Sequence, residues 1–341
     1  MGVNLTPIIV KEKTSLNGLR GKSLAVDAPN YLYQFLAVVR LEYGIPLKDQ
    51  KGNPTSHLSG LIFRSTRLIA EYDIKLVFVF DGQPPKLKLE ELKRRSALRM
   101  QASKEWEEAI QRGDREKAFS KAVTSTRLTR FMIEDAKTVL DCLGVPYVEA
   151  LSEAEAQAAH MASMGSVWAA NSRDYDSILY GAPRLARYVT ISGSEFLPSK
   201  GIARRLVPEI IHLDKLLSSL GLSQKELIDL AILIGTDYNQ GVRGIGPKTA
   251  LKLMREYHSL ENLPSSIRDE IPDRYQEVRD LFLNPDVTDS YRTNYGTLNE
   301  DRLLSFLVDE RGFDRKRLET VVQRMRSFYS SCSQTGLGMW L

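Results

Sequence analysis

Five short apolar runs punctuate the chain, and in most of them the apolar residues are consecutive. They are Lys22 to Asp27 (K-S-L-A-V-D), Lys75 to Phe80 (K-L-V-F-V-F), Gly144 to Val148, Val167 to Ala170 and Arg187 to Ile191. Unbroken apolar character marks strands buried on both faces, which predicts a mostly parallel sheet covered by helices on either side. The intervening segments have helical spacing. An aromatic-rich helix passes through Tyr31, Tyr33 and Phe35, another through Phe131, Val139 and Leu140 within Ser125 to Leu143, and a third runs from Ser223 to Ile234. A loop rich in Ser, Gly and Pro is expected after Ile191. The fold class is therefore α/β, with a mostly parallel central sheet flanked by helices. Ligands of such folds lie beyond the carboxyl ends of the strands.

One segment breaks this pattern. From about Leu87 the chain is helical but too poor in apolar residues to be core, with an interruption at Gly113-Asp114, so it reads as a projecting helical insertion. Between Lys86 and Arg130 there are 13 Lys or Arg against 7 Asp or Glu, whereas the whole 341-residue chain carries a net charge of only +4. The positive charge is concentrated, as on a surface that meets phosphates, although a lone charge run is commonly a solvated face. At the other end the polar stretch from Ser330 closes in Gln334 to Leu341 (Q-T-G-L-G-M-W-L). Large apolar residues at a chain end suggest a docking peptide.

Composition narrows the classes. A hydrophobic content of 43% suits a chain with a real core. Cys142 and Cys332 are the only cysteines and there are four His, so neither a disulfide framework nor a thiolate zinc site is expected, and a reducing cytosol fits. No run approaches the roughly 20 apolar residues of a membrane-spanning helix, so no membrane partner is expected.

The candidate chemistry lies in acids at element ends. Asp27 and Asp81 close the first two strands, Glu153 and Glu155 begin a helix in S-E-A-E-A-Q, Asp174 and Asp176 follow an apolar run in S-R-D-Y-D, and Asp237 ends the third helix. Taken singly, Ser152-x-x-Glu155 reads as a helix capping box and Asp81-Gly82 as a turn. Taken together, oxygen ligands without His or Cys select hard cations, Mg²⁺ with Mn²⁺ as substitute. A pair of ions roughly 4 Å apart hydrolyses phosphodiesters without a protein nucleophile. Gly241 to Leu253 (G-V-R-G-I-G-P-K-T-A-L-K-L) adds glycines ahead of Pro247 at a helix start, where bare backbone amides can grip a phosphate.

These motifs resemble those of the structure-specific 5′ nucleases, most closely the archaeal flap endonucleases. The resemblance rests on V-D-A at 26–28, V-F-V-F-D-G at 77–82, S-E-A-E-A-Q-A-A at 152–159, S-R-D-Y-D at 172–176 and G-T-D-Y-N-Q-G-V-R-G-I-G-P-K-T-A at 235–250. It implies one nuclease domain over 1–329, comprising an N-terminal region (1–100), a basic helical arch (86–130), an internal region (116–258) with a helix-hairpin-helix at 235–257, and a helical C-terminal region (259–329). A flexible tail (330–341) would follow. It implies two metal ions, with Asp27, Asp81, Glu153 and Glu155 serving one and Asp174, Asp176 and Asp237 the other. Lys88 and Arg95 would reach the scissile phosphate, Tyr33 would stack on a base, and Gly2 would become the N-terminus close to DNA. Gly241, Gly244, Gly246, Lys248 and Thr249 would hold duplex phosphates, with a monovalent cation at the hairpin.

Gln334, Leu337, Trp340 and Leu341 resemble a sliding-clamp peptide, with Leu341 where a second aromatic is usual. The expected activity is Mg²⁺-dependent cleavage of 5′ flaps in branched DNA, during Okazaki-fragment maturation and repair, by a cytoplasmic monomer. A 5′→3′ exonuclease using the same site, or a non-catalytic DNA-binding clamp adaptor, are the alternatives.

Overall fold

The structure, a computed structural model, describes residues 2–190, 193–197 and 202–337, with side chains left aside at 193–197, 202–205 and 332–337. In chain order the first half comprises β1 (Glu12–Lys13), β2 (Ser23–Asp27), α1 (Ala28–Val38), α2 (Ser56–Tyr72), β3 (Lys75–Phe80), α3 (Leu89–Gln111), α4 (Arg115–Ser125), α5 (Arg130–Leu143) and β4 (Tyr147–Glu149). There follow α6 (Ala154–Ser163), β5 (Ala169–Asn171), α7 (Asp176–Leu179), β6 (Arg184–Arg187), β7 (Gly193–Leu197), β8 (Ile202–Leu206), β9 (Glu209–His212), α8 (Leu213–Leu220) and α9 (Gln224–Ile234). The last elements are β10 (Gly235–Thr236), β11 (Asn239–Gln240), α10 (Pro247–Tyr257), α11 (Ser265–Arg268), α12 (Tyr275–Leu283), α13 (Glu300–Leu304) and α14 (Arg315–Leu337).

Seven strands form one sheet in the order β1-β9-β6-β5-β2-β3-β4. Those from β4 to β6 are parallel, and β9 and β1 complete the sheet antiparallel. The chain winds outward from β2 through β3 to β4 and then returns to β5 on the other side of β2. The strand order thus reverses between β2 and β5, which opens a crevice beyond their carboxyl ends.

The strand side chains divide between two cores, one on each face. Leu24 and Val26 of β2, with Leu76, Phe78 and Phe80 of β3, face α1, α2, α5 and α14. Ala25, Val77 and Val79 face α6, α9, α10 and α12. Each fully buried Leu or Phe in such a layer contributes about 1.5–3 kcal/mol. This alternation also aims the acids. Asp27 pairs with Val79, so Asp81, two residues on, continues the α6-facing side that Asp27 shares.

Three expectations need correction. The strand placed at Arg187–Ile191 lies at Arg184–Arg187, because pairing with β5 and β9 sets its register. The Ser, Gly and Pro stretch is not all loop: Gly193–Leu197 pairs antiparallel with Ile202–Leu206. Helix α14 runs on to Leu337, so the backbone between Ser330 and Leu337 is helical where a flexible tail was expected. Trp340 and Leu341 lie outside the described residues, and the contacts of Gln334 and Leu337 are not described either.

The projecting insertion is present. Only Ala102 and Ala109 of α3, and Ala118 and Ala122 of α4, are buried, so small residues form the seam between two otherwise solvated helices. Trp106 Nε1 donates to Tyr43 O at 2.9 Å, tying the arch to the loop after α1. Among the described residues, no helix is long and apolar enough to cross a membrane.

Candidate active site

The crevice at the strand reversal gathers the acids. Asp27 ends β2 and caps α1, accepting Asn30 N–H at 3.0 Å, while its other oxygen accepts Ser172 Oγ at 3.1 Å. Asp81 follows β3 and accepts Ala154 N–H at 2.8 Å. Glu153 and Glu155 open α6. Asp174 lies in the loop after β5, accepting Asn30 Nδ2 at 3.0 Å, and Asp176 opens α7, accepting Val3 N–H at 3.1 Å. Asp237 arrives from the turn between β10 and β11 and accepts Arg95 Nη2 at 2.6 Å.

The capping box expected at Ser152 does not form. The N-cap of α6 is Glu153, and no side-chain cap bond is made there. Its free amide at Ala154 is taken by Asp81 from the neighbouring strand, which the sequence spacing could not reveal. Gly82 makes this approach feasible: a Cβ there would stand 2.1 Å from Ala150 O and 2.5 Å from Leu151 O. Glu153 and Glu155 are thus left to face the crevice.

Most of these carboxyls lie in a low-dielectric setting with like charges nearby. Burial, with Asp81 and Asp174 beside it, raises the Asp27 pKa to about 8, and burial with Asp237 and Asp174 raises Asp176 to about 7. Burial also pushes Asp81 and Glu153 up. Glu155 is driven well above the usual carboxylate range by burial and then by Asp176, Asp27 and Asp174, and its Oε1 is buried without a partner. An orphaned carboxylate oxygen among mutually repelling acids is the chemistry that a hard divalent cation satisfies. Among the described residues no three of these acids close into a single ligand shell; they surround the space, and two of them are engaged by cations of the arch.

Those cations are the predicted Lys88 and Arg95. Lys88 Nζ forms an ion pair with Glu153 and stands 3.7 Å from Asp237 Oδ2, and Arg95 pairs with Asp237 and with Glu91. The neighbouring carboxylates hold the Lys88 ammonium above its ordinary pKa against the opposing effect of burial. The base of α3 therefore roofs the crevice.

The remaining predicted residues divide. Gly2 packs on the site, since a Cβ there would meet the Asp176 carboxylate at 2.5 Å. Tyr33 is not core: the residue is 36% exposed and its hydroxyl donates to Val123 O of the arch at 3.3 Å. In the hairpin, Gly241 has an internal reason, as its Cβ would be 2.1 Å from Ile234 O. Gly244 and Gly246 do not, for nothing lies within 4 Å of a Cβ at either, although Gly244 needs its positive φ of 81°. Gly246 caps α10 without a side-chain bond and Pro247 is at its first turn, so the amides of Lys248 and Thr249 sit at a bare helix N-terminus.

Three contributors escaped the sequence reading. Asn30 and Ser172 bridge Asp27 and Asp174; only their closeness to those acids could have hinted at it. Arg187 is buried behind the same loop, donating to Arg173 O at 2.9 Å and Glu209 Oε1 at 2.8 Å, with its guanidinium 4.0 Å from the Tyr175 ring centroid.

Fold and site together define a nuclease built on a doubly wound sheet, with a carboxylate crevice under a basic helical arch. Comparison with known proteins agrees. The XPG N-terminal domain matches residues 1–102 and the XPG I-region matches 144–237. Flap endonuclease 1 of Ignicoccus hospitalis is 44% identical over 98% of this chain and 97% of its own length. That of Pyrococcus furiosus is 44% identical over 100% and 99%. The structure of flap endonuclease-1 from Methanococcus jannaschii superposes with a TM-score of 0.77 at 39% identity, covering 97% of this chain and 99% of that one. The catalytic core of Rad2 in complex with DNA substrate gives 0.68 at 25% identity, covering 94% and 96%. The chain belongs to the flap endonuclease 1 family and is a structure-specific 5′ flap nuclease. Membership implies dependence on a divalent metal.

Proposed function

We propose that this nuclease cuts the 5′ flap of branched DNA at the junction of single strand and duplex by two-metal hydrolysis, with Mg²⁺ as its ion and Mn²⁺ as substitute. The observation that carries the reading is the cluster of mutually repelling acids around the partnerless Glu155 oxygen. Asp27, Asp81, Glu153 and Glu155 would hold one ion, and Asp174, Asp176 and Asp237 the other. Bound there, the ions would activate water and stabilise the leaving oxygen.

The chain's own residues supply the rest. Lys88 and Arg95 are paired with Glu153 and Asp237, both assigned as ligands, so they exchange those carboxylates for the scissile phosphate as cation and DNA arrive. Tyr33, at the arch and partly exposed, offers a face on which a base stacks. The bare amides at Gly246 to Thr249 hold duplex phosphates, with a monovalent cation at the hairpin. Okazaki-fragment maturation and repair in the cytoplasm, by a monomer that recruits a sliding clamp through Gln334, Leu337, Trp340 and Leu341, complete the reading.

Labelled 5′-flap DNA incubated with Mg²⁺ should be cut near the junction, and a chelator should stop it. Cleavage that persists in chelator would refute the metal assignment, and equal rates on flap and nicked duplex would favour the exonuclease. Truncation after Ser333 should spare cleavage but remove stimulation by the clamp; unchanged stimulation would refute the peptide.

A further inference from the structure

The acids of the crevice are tied to one another. Asn30, in the first turn of α1, donates its backbone N–H to Asp27 Oδ1 at 3.0 Å and its side-chain amide to Asp174 Oδ2 at 3.0 Å. Ser172 makes the complementary pair: its Oγ donates to Asp27 Oδ2 at 3.1 Å and accepts Asp174 N–H at 3.2 Å. The ring closes as Asp27, Asn30, Asp174, Ser172 and back. It spans the strand reversal, joining the end of β2 to the loop after β5. Strand register makes this possible, because Val26 pairs with Asn171 and so brings Ser172 alongside Asp27.

Gln34, one helical turn beyond Asn30, fixes the orientation of the bridging amide. Its Nε2 donates to Asn30 Oδ1 at 2.6 Å, which leaves the Asn30 NH₂ directed at Asp174, as a carboxylate that only accepts requires. Gln34 is 6% exposed and its Oε1 has no protein partner. With Asn30 and Ser172 it lines a cavity of about 10 Å³, room for a single water.

On the two-ion reading of the previous section, Asp27 and Asp174 serve different ions. We propose that the ring is the spacer that sets the distance between the two metal sites, with Asn30 as its positioning residue and Gln34 as the support of that residue. Its backbone is anchored at the first site while its side chain reaches the second. The backbone donor to Asp27 survives any substitution of the side chain except proline, so truncating Asn30 releases Asp174 alone. Outer partners of metal-ligating groups are typically worth 10- to 100-fold in affinity or activity.

The test compares the wild-type chain with Asn30→Leu and Gln34→Leu, reading Mn²⁺ binding without DNA, melting in chelator and flap-DNA affinity in chelator. Wild type should bind two Mn²⁺. Asn30→Leu should weaken one of them about 10- to 100-fold and raise the half-saturating Mg²⁺ for cleavage by a similar factor. The other site, the melting temperature and DNA affinity should stay close to wild type. Gln34→Leu should weaken the same site severalfold, and it remains informative if Asn30→Leu does not fold. Two wild-type-like sites in either folded variant would overturn its part in the spacer and leave the two-ion reading standing. A single Mn²⁺ on the wild-type chain would instead overturn the two-ion reading, and the spacer with it.

Discussion

Buried carboxylates occur in two kinds of place in this molecule. Between α9 and α12, Asp229 is 0% exposed yet receives a forked pair of bonds from Arg279, at 2.6 and 2.9 Å, and the same guanidinium reaches Glu261 at 2.7 Å. Burial still pushes Asp229 up, but the Arg279 guanidinium opposes it, and the same guanidinium lowers the pKa of the exposed Glu261 to about 2. At the strand reversal, Asp27 and Asp176 are comparably buried, but their nearest charged neighbours include further carboxylates, and they rise to about 8 and 7. The first cluster is neutralised by the protein and serves its stability. The second is left to be neutralised from outside, at some cost to stability, which is how a binding site differs from a structural ion pair.

That contrast can be broken in four ways. Asp174→Ala should slow flap cleavage by about 10³-fold or more, roughly 4 kcal/mol of barrier, while the protein melts no lower in chelator because a repelling charge has gone. Steady-state cleavage with melting curves would decide, and a large loss of stability would make Asp174 structural.

Arg279→Met should do the reverse. Removing one partner of a buried pair costs about 3–5 kcal/mol, visible in denaturant unfolding, while the rate per folded molecule stays near wild type. A smaller effect on catalysis is expected from Lys88→Met, about 10²-fold in kcat, the range seen when a donor to developing charge is removed. Unchanged single-turnover rates would exclude Lys88 from the phosphate.

The smallest effect is that of pH. In chelator, folded Asp27 and Asp176 keep protons that the unfolded chain has released, so their contribution is complete below about pH 4. It is lost progressively as pH rises from there until the folded pKa values of about 7 and 8 are passed, by up to about 1.4 kcal/mol per proton per pH unit. Metal-free melting temperature should therefore fall from about pH 5 to about pH 8, and saturating Mg²⁺ should flatten the trend. The contribution of Glu261 runs the other way, present above its ordinary pKa and lost as pH falls toward 2. A metal-free melting temperature flat from about pH 5 to about pH 8 would contradict the raised values.

The sequence exposes what local pattern determines. β3 falls at its expected bounds and β2 within one residue, because consecutive apolar residues ending in an acid read the same way in any context. The predicted acids surround one crevice for the same reason, since strand polarity sends Asp27, Asp81 and the Asp174 loop to one edge. What stayed hidden depends on distant partners. Ser152 has the spacing of a cap, but Asp81 arrives from another strand and takes the helix amide. β6 was misplaced because its register is set by β5 and β9, and β7 with β8 was missed because pairing across a hairpin overrides a loop-like composition. Asn30 carries no motif and Ser172 heads S-R-D-Y-D with no role of its own, and only the reversal of strand order makes them a bridge.

The anchoring of the acids has a consequence for denticity. Asp81, Asp174 and Asp176 each give one carboxylate oxygen to an N–H of the protein, from Ala154, Asn30 and Val3 respectively. Were Mg²⁺ to bind as proposed, a carboxylate so engaged would offer it the other oxygen, and one-oxygen contacts would occupy few corners of the octahedron that this ion demands. The remaining corners would then be open to waters and phosphate oxygens, the two reactants of hydrolysis. A crevice of chelating, two-oxygen carboxylates would hold its metal more tightly and have less room for the reaction.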